Sequence, residues 1–318
     1  MNSLLLLFVF PILASAGHDT DWHFIKWMEK HLKPNEVKEI LRNELRTGSF
    51  GGGPYSGDVR PVILVHGLNN EAGNFWKIRA DFVGNGFPKN RIFATTWGKG
   101  LRQIDFDVKM SCNYVQHIRK FIETVIQYTG APQVDIIAYS MGSPIARKAI
   151  LGGPCVDRPS TNIGARITDR IHTFISVAGA NQGSHLCILP FFGICNLNTG
   201  LTCNSNFLKN INGHKKYEAS YKIHNIASTA DMIVGYFACG TRASYFAGAI
   251  EHKLDGLNHE QVEYNTAKLQ LSLLREEGGV STKIPPNSRE IAKKNPSSKS
   301  DPFNDVRRYL RMPRRRRH

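Results

Sequence analysis

The chain has 318 residues, with 41 Lys or Arg against 26 Asp or Glu and a formal net charge of +15. Its hydrophobic content of 41 % is too high for a wholly disordered chain, and its Gly and Pro are too few for a fibrous one. At this length a single large α/β domain fits, with a core that does not depend on cross-links.

The first element in the chain is an apolar run, Leu4 to Leu13, too short to span a bilayer. Ala14-Ser15-Ala16 follows as a small-x-small pattern, so residues 1–16 read as a secretory signal peptide cut after Ala16. No later stretch reaches 18 uninterrupted apolar residues, and no transmembrane anchor is expected. Residues 17–59 read as a helical N-terminal extension with two amphipathic helices at 21–32 and 35–46. Gly48 to Gly53 reads as a flexible link from them to a sheet.

From residue 60 the pattern alternates. Residues 61–65 (PVILV) form a short apolar strand run that ends at His66-Gly67. A helical stretch follows at 72–83, a strand at 91–96 and a helix at 107–128 with apolar residues at steps of three and four. Further strands are expected at 134–138, 171–178 and 222–227, with helices at 144–151 and 259–274. Alternation of this kind implies an α/β fold with a mostly parallel central sheet and helices on both faces.

The last 36 residues hold twelve of the basic residues and only three of the acidic ones, so most of the excess charge lies in 283–318. This Pro-, Ser- and Arg-rich segment reads as a basic, disordered tail. It is a solvated extension, a contact for anionic glycan or lipid, or a site for basic-specific proteases. No nucleic-acid motif occurs, and no nucleic-acid partner is expected. The six cysteines (Cys112, Cys155, Cys187, Cys195, Cys203, Cys239) form an even set suited to disulfides in a secreted chain. Fifteen pairings are open to them. Their spacing does not match a zinc site, and no metal is expected.

The chemistry sits at strand ends. Ala138-Tyr139-Ser140-Met141-Gly142 places a serine between strand and helix with small residues two positions away on either side. A nucleophile elbow needs this, because its turn is too tight for bulky flanking side chains. At the helix start, free N–H groups and the helix dipole favour a developing negative charge. The backbone N–H groups of Leu68, after His66-Gly67, and of Met141 are candidates for an oxyanion hole. In the chain order of α/β-hydrolases an acid and then a histidine follow the serine. Asp231, beyond the strand at 222–227, is the candidate acid. His259, before the last helix, is the candidate base. His252, His214 and His224 are rival histidines, and Asp255 and Glu260 rival acids.

Residues 61–67 (PVILVHG), Ala138 to Gly142, 228–234 (STADMIV) and 256–259 (GLNH) resemble the class 2 triacylglycerol lipases. These are small bacterial α/β-hydrolase lipases and secreted nematode relatives that contain cysteines. The motif at 139–147 (YSMGSPIAR) and that at 95–98 (TTWG) are most similar to the nematode branch. The resemblance spans about residues 60–274. It implies an α/β-hydrolase domain, here 60–282, with Ser140, Asp231 and His259 as a triad and Leu68 and Met141 as the oxyanion pair. It also implies a lipid ester as substrate, possible contact with a lipid interface, and no cofactor. An esterase or thioesterase on other acyl groups, or a non-catalytic binding protein on the same fold, is the alternative.

The departure from the family is length: 91 positions separate Ser140 from Asp231, and the excess contains an insertion at 183–205. Its apolar run, bracketed by Cys187 and Cys195, is either a flap over an acyl pocket or a satellite core. Trp76, Trp97, Phe191 and Phe192 are candidates to line an acyl groove.

Overall fold

Short β-branched and aromatic runs supply the strands. They are β1 (Gly17–Thr20), β2 (Thr47–Gly51), β3 (Val62–Val65), β4 (Ile92–Thr95), β5 (Val134–Tyr139), β6 (Ile171–Val177) and β7 (Lys222–Ser228). A hairpin of β8 (Phe237–Ala238) and β9 (Thr241–Arg242) stands apart, and β10 (Ile250–Leu254) completes the main sheet. The computed structural model describes residues 17–100, 107–188, 193–213 and 217–276. The expected signal peptide and basic tail lie outside the described residues.

The main sheet runs β1-β2-β4-β3-β5-β6-β7-β10. Of its pairings, β2–β4 alone is antiparallel. Successive side chains on a strand point to opposite faces, and here both faces are apolar. Ile63, Val65, Ile136, Ala138 and Phe174 enter one core. They meet α1 (Trp22–His31), α2 (Pro34–Leu41), α4 (Cys112–Thr129) and α5 (Gly142–Leu151) there. Val62, Leu64, Ile137, Tyr139, Ile175 and Val177 enter the other. That core is covered by α3 (Trp76–Gly84), α7 (His259–Asn265) and α8 (Ala267–Leu274), while α6 (Asn206–Asn212) packs beside α5. Two covered faces explain why the strands read as continuous apolar runs.

Residues 17–59 differ from their expected helical character. α1 and α2 form, but the chain also contributes two strands to the sheet. Gly48 to Gly53 is not a flexible link: Thr47–Gly51 is β2, paired with β1 and β4. The glycines answer to close packing. Gly51 and Gly52 have φ of 120° and 89°, and a Cβ on Gly52 would meet Phe24 Cβ at 2.5 Å. The second helix is shorter than its pattern, because Arg42 takes the left-handed conformation with φ 52° and ends α2.

Parallel strands bring their carboxyl ends to one edge. The loops after β3, β5, β7 and β10 carry Leu68, Ser140, Asp231 and His259 respectively.

Several histidines are enclosed by this packing. His117 Nε2–H donates to Thr95 Oγ1 at 3.1 Å, while the Thr95 hydroxyl donates to the Ile40 carbonyl at 2.8 Å. Desolvation lowers its pKa from 6.5 to about 3, and likewise lowers His66 to about 3 and His224 to about 4. The unfolded chain binds these protons near pH 6.5 and the folded chain does not. Their contribution to stability is therefore complete above about pH 6.5 and is lost as pH falls toward their folded pKa values. The variant His117→Gln is expected to show a shallower decline in Tm between pH 6.5 and 4 than the parent. Thermal melts with equal declines would refute this.

Candidate active site

The tight turn after β5 comes first. Ser140 has φ 54°, a left-handed conformation that a serine adopts at a cost on the order of 1–3 kcal/mol. Its N–H donates to the Val177 carbonyl at 2.9 Å, and its own carbonyl accepts from Ser143 N–H at 3.0 Å. Both flanks are crowded. A Cβ on Gly142 would collide with the His66 carbonyl, and one on Gly67 would lie 2.8 Å from Ser140 Cβ. Ala138 is fully buried. The small residue two positions after the serine is thus required by contact with the backbone at the end of β3.

His259 is the first residue of α7. Asn258 caps that helix, accepting from Gln261 N–H at 2.9 Å, and the Gln261 side chain accepts from Asn258 N–H at 2.9 Å. Asp231 lies three residues beyond β7. Its Oδ1 accepts from the N–H groups of Ile233 (2.9 Å) and Val234 (3.1 Å), which leaves Oδ2 for His259 Nδ1 at 2.7 Å. A carboxylate can only accept, so Nδ1 carries the proton. His259 Nε2 then faces Ser140 Oγ at 2.9 Å as an acceptor. All three side chains are buried. Tyr139 O–H donates to the His259 carbonyl at 3.2 Å. Ser228 Oγ accepts from Ala230 and Leu257 N–H groups at 3.3 and 3.1 Å, tying the acid loop to the histidine loop.

The rivals are engaged elsewhere. His252 Nε2 and His224 Nδ1 are 3.0 Å apart across β10 and β7. Asp255 accepts from the Thr229 hydroxyl at 2.9 Å, and Glu260 is exposed. His214 lies outside the described residues.

Leu68 and Met141 are buried beside the serine, and among the described residues no acceptor is bonded to either backbone N–H. Behind Leu68 sits a contact that the sequence motifs do not announce. Trp97 N–H donates to His66 Nε2 at 3.0 Å, and Trp97 Nε1–H donates to the His66 carbonyl at 2.7 Å. The two rings are stacked, 4° from parallel. With Nε2 accepting, His66 Nδ1–H donates to the Gly67 carbonyl at 2.7 Å. Burial, which puts the His66 pKa at about 3, keeps this imidazole neutral.

A sequence model described as Lipase (class 2) matches residues 59–272. The chain belongs to the class 2 lipase family. The fold agrees. The crystal structure of Aspergillus fumigatus lipase B matches with a TM-score of 0.54 at 15 % identity, over 76 % of this chain and 59 % of that one. The mature form of Bacillus licheniformis lipase BlEst2 matches with a TM-score of 0.51 at 16 % identity, over 71 % and 97 %. A lysosomal thioesterase from Xenopus laevis, PPT2-B, is 33 % identical over 88 residues. That stretch is 28 % of this chain and 29 % of the thioesterase.

In this class 2 lipase the disulfides pair Cys112 with Cys155, Cys187 with Cys195, and Cys203 with Cys239. Among the described residues, the one group of three potential metal ligands is Cys112, Cys155 and Asp157, and its two sulfurs are bonded to each other. The described part of the insertion packs inward: Cys187, Ile194 and Leu201 join the core, while Leu197 is exposed. It also braces the acid loop. Ser184 Oγ–H donates to the Ile233 carbonyl at 2.7 Å, and His185 N–H to the Val234 carbonyl at 2.8 Å. Trp97 is committed to His66 rather than to a groove, Trp76 is exposed, and Phe191 and Phe192 lie outside the described residues.

The crowding at the turn sets a test. Gly142→Ala is expected to destabilise the fold by about 1–3 kcal/mol, the usual cost of overpacking. A denaturation midpoint equal to that of the parent would refute it.

Proposed function

We propose that this lipase-family chain is a secreted serine hydrolase acting on carboxylic esters of lipids, with Ser140 as nucleophile, His259 as base and Asp231 as acid. The observation that carries it is the continuous hydrogen-bonded path from Ser140 Oγ through His259 to Asp231 Oδ2. His259 Nε2 removes the hydroxyl proton as Oγ attacks the ester carbonyl. Asp231 holds the imidazole in the needed tautomer and stabilises the imidazolium that forms. The N–H groups of Leu68 and Met141 receive the oxyanion, beside the amino end of α5. Collapse of the tetrahedral species expels the alcohol, which takes its proton from His259. Water activated by the same imidazole then frees the acid from Ser140.

Exposed Trp76, and exposed Met232 next to Asp231, suit an approach to a lipid surface. A secreted location is supported by the apolar leader and by three disulfides. No helix among the described residues is long and apolar enough to cross a membrane. A second reading, hydrolysis of thioesters by the same residues, is favoured by the local likeness to the Xenopus thioesterase.

Esters of rising acyl length and a long-chain acyl thioester, assayed with the parent and with Ser140→Ala, separate these readings. The lipid-ester reading expects the parent to prefer long acyl esters, and Ser140→Ala to lose roughly 10⁶-fold in turnover. Preference for the thioester or for short esters moves the substrate to the second reading or a general esterase. Turnover that survives in Ser140→Ala sinks the triad. Because an imidazole acts as base only when neutral, activity is also expected to fall on acidification. A rate flat to pH 4 contradicts that role.

A further inference from the structure

The family match begins at residue 59, yet two side chains upstream of it are built into the loop that carries Leu68. Arg42 spans from the end of α2 to the loop after β4. Its Nη1–H donates to the Thr96 carbonyl at 2.8 Å and its Nη2–H to the Gly98 carbonyl at 2.7 Å. Its Nε–H meets Glu44 at 2.6 Å. One planar guanidinium thus grips the carbonyls on both sides of Trp97. Trp97 in turn holds His66 by two hydrogen bonds and a stacked ring, and His66 holds the Gly67 carbonyl. The next residue is Leu68.

A second strut runs from Thr47 at the start of β2. The carboxylate of Glu71, fully buried, accepts from Thr47 N–H at 2.9 Å and from the Thr47 hydroxyl at 2.8 Å. Gly73 N–H donates to Thr47 Oγ1 at 3.2 Å. Thr96 links the two struts: its hydroxyl donates to the Thr47 carbonyl at 2.9 Å and accepts from Ala72 N–H at 2.8 Å. Residues 66–73 are therefore held after Leu68 directly by Thr47, and before it by Arg42 acting through Trp97.

We propose that Arg42 and Thr47 are positioning residues for the oxyanion loop, so that residues 17–58 form part of the catalytic apparatus. This rests on the assignment of Leu68 and Met141 as the oxyanion pair. An oxyanion donor works only within about 2.7–3.1 Å of the developing charge, and misplacement by about 1 Å costs on the order of 10²-fold. Neither Arg42 nor Thr47 hydrogen-bonds Ser140, His259 or Asp231.

The test uses the full chain, with rates expressed per active site titrated at Ser140. Arg42→Ala and Thr47→Val are expected to lower kcat by about 10- to 100-fold, with KM within about threefold of the parent. The acid limb of the pH profile should stay in place. A trifluoromethyl ketone, which forms an oxyanion on the serine, should weaken in proportion to the loss in kcat/KM. Arg42→Lys, with one ammonium for two carbonyls, should fall between parent and Arg42→Ala. Thr47→Ser, which keeps the hydroxyl, should restore the rate and the inhibitor affinity. If Arg42→Ala fails to fold, the near-isosteric Thr47→Val and its Ser counterpart decide. Values of kcat and inhibition constant within twofold of the parent in Thr47→Val overturn the proposal, as does a loss of rate with no change in inhibitor affinity. Absence of Ser140-dependent turnover in the parent instead overturns the triad on which the proposal stands.

Discussion

The backbone reversal at Ser140 is the constraint around which the structure is arranged. A serine at φ 54° needs external support, since nothing in its own sequence favours the left-handed region. Support comes from both neighbouring strands. β6 supplies the Val177 carbonyl to the Ser140 N–H, and the loop after β3 presses the His66 carbonyl and Gly67 against the turn. The two glycines are small because this contact leaves no room, and the contact in turn brings Leu68 beside Met141. One steric requirement thus sets the strand order β3-β5-β6 and the relative placement of the serine and the two amides.

The parallel sheet then converts strand order into chemistry. Carboxyl ends of β3, β5, β7 and β10 open on one edge, and each contributes one element of the site. Strand ends are rigid where loops are not, and a hydrogen-bonded path such as Ser140–His259–Asp231 tolerates little displacement. Ser228, at the last position of β7, holds the acid loop and the histidine loop with a single hydroxyl. The polar interior continues behind α5. Arg147 pairs with Glu218 at 2.7 Å, both buried, and its guanidinium also reaches Asn212 at 2.9 Å. Breaking such a pair is costlier than never having built it, so it acts more on the register between α5, α6 and the 217–218 segment than on net stability.

What was legible in the sequence follows the range of the forces involved. The strands β3, β5 and β6 were visible because burial on both faces leaves an unbroken apolar run. The elbow was visible because its steric demand falls on residues two positions away. Asp231 and His259 are named from chain order and the fold brings both to Ser140, while His252 meets His224, a partner that only strand pairing brings near. The failures involve contacts distant in sequence. Gly48 to Gly53 read as flexible, since nothing local signals that Phe24 and β4 close over those glycines. β10, with an exposed edge and mixed side chains, lacks a strong period. The pairing of the six cysteines is a property of the folded chain. Arg42 reads as one charge among 41, and its role depends on two carbonyls more than fifty residues away.

The two sides of the site are braced by segments of different origin. On the acid side, the insertion fixes the Ile233 and Val234 carbonyls, whose residues' N–H groups hold Asp231. The Cys203–Cys239 bond joins the same two segments across a separation of 36 residues, a closure worth about 3–4 kcal/mol through the unfolded chain. On the side of the loop after β3, residues 17–58 brace residues 66–73 without a covalent bond, through Arg42, Thr47 and the β2–β4 pairing. The net charge belongs to neither brace. Twelve of the 41 basic residues fall in the last 36, beyond the described fold, while Arg42 and Arg147 inside it engage carbonyls and a carboxylate. Most of the net charge thus lies in a terminal segment, while Arg42 and Arg147 inside the fold act through hydrogen bonds. Those contacts act on geometry at the strand ends, where Ser140, Asp231 and His259 meet.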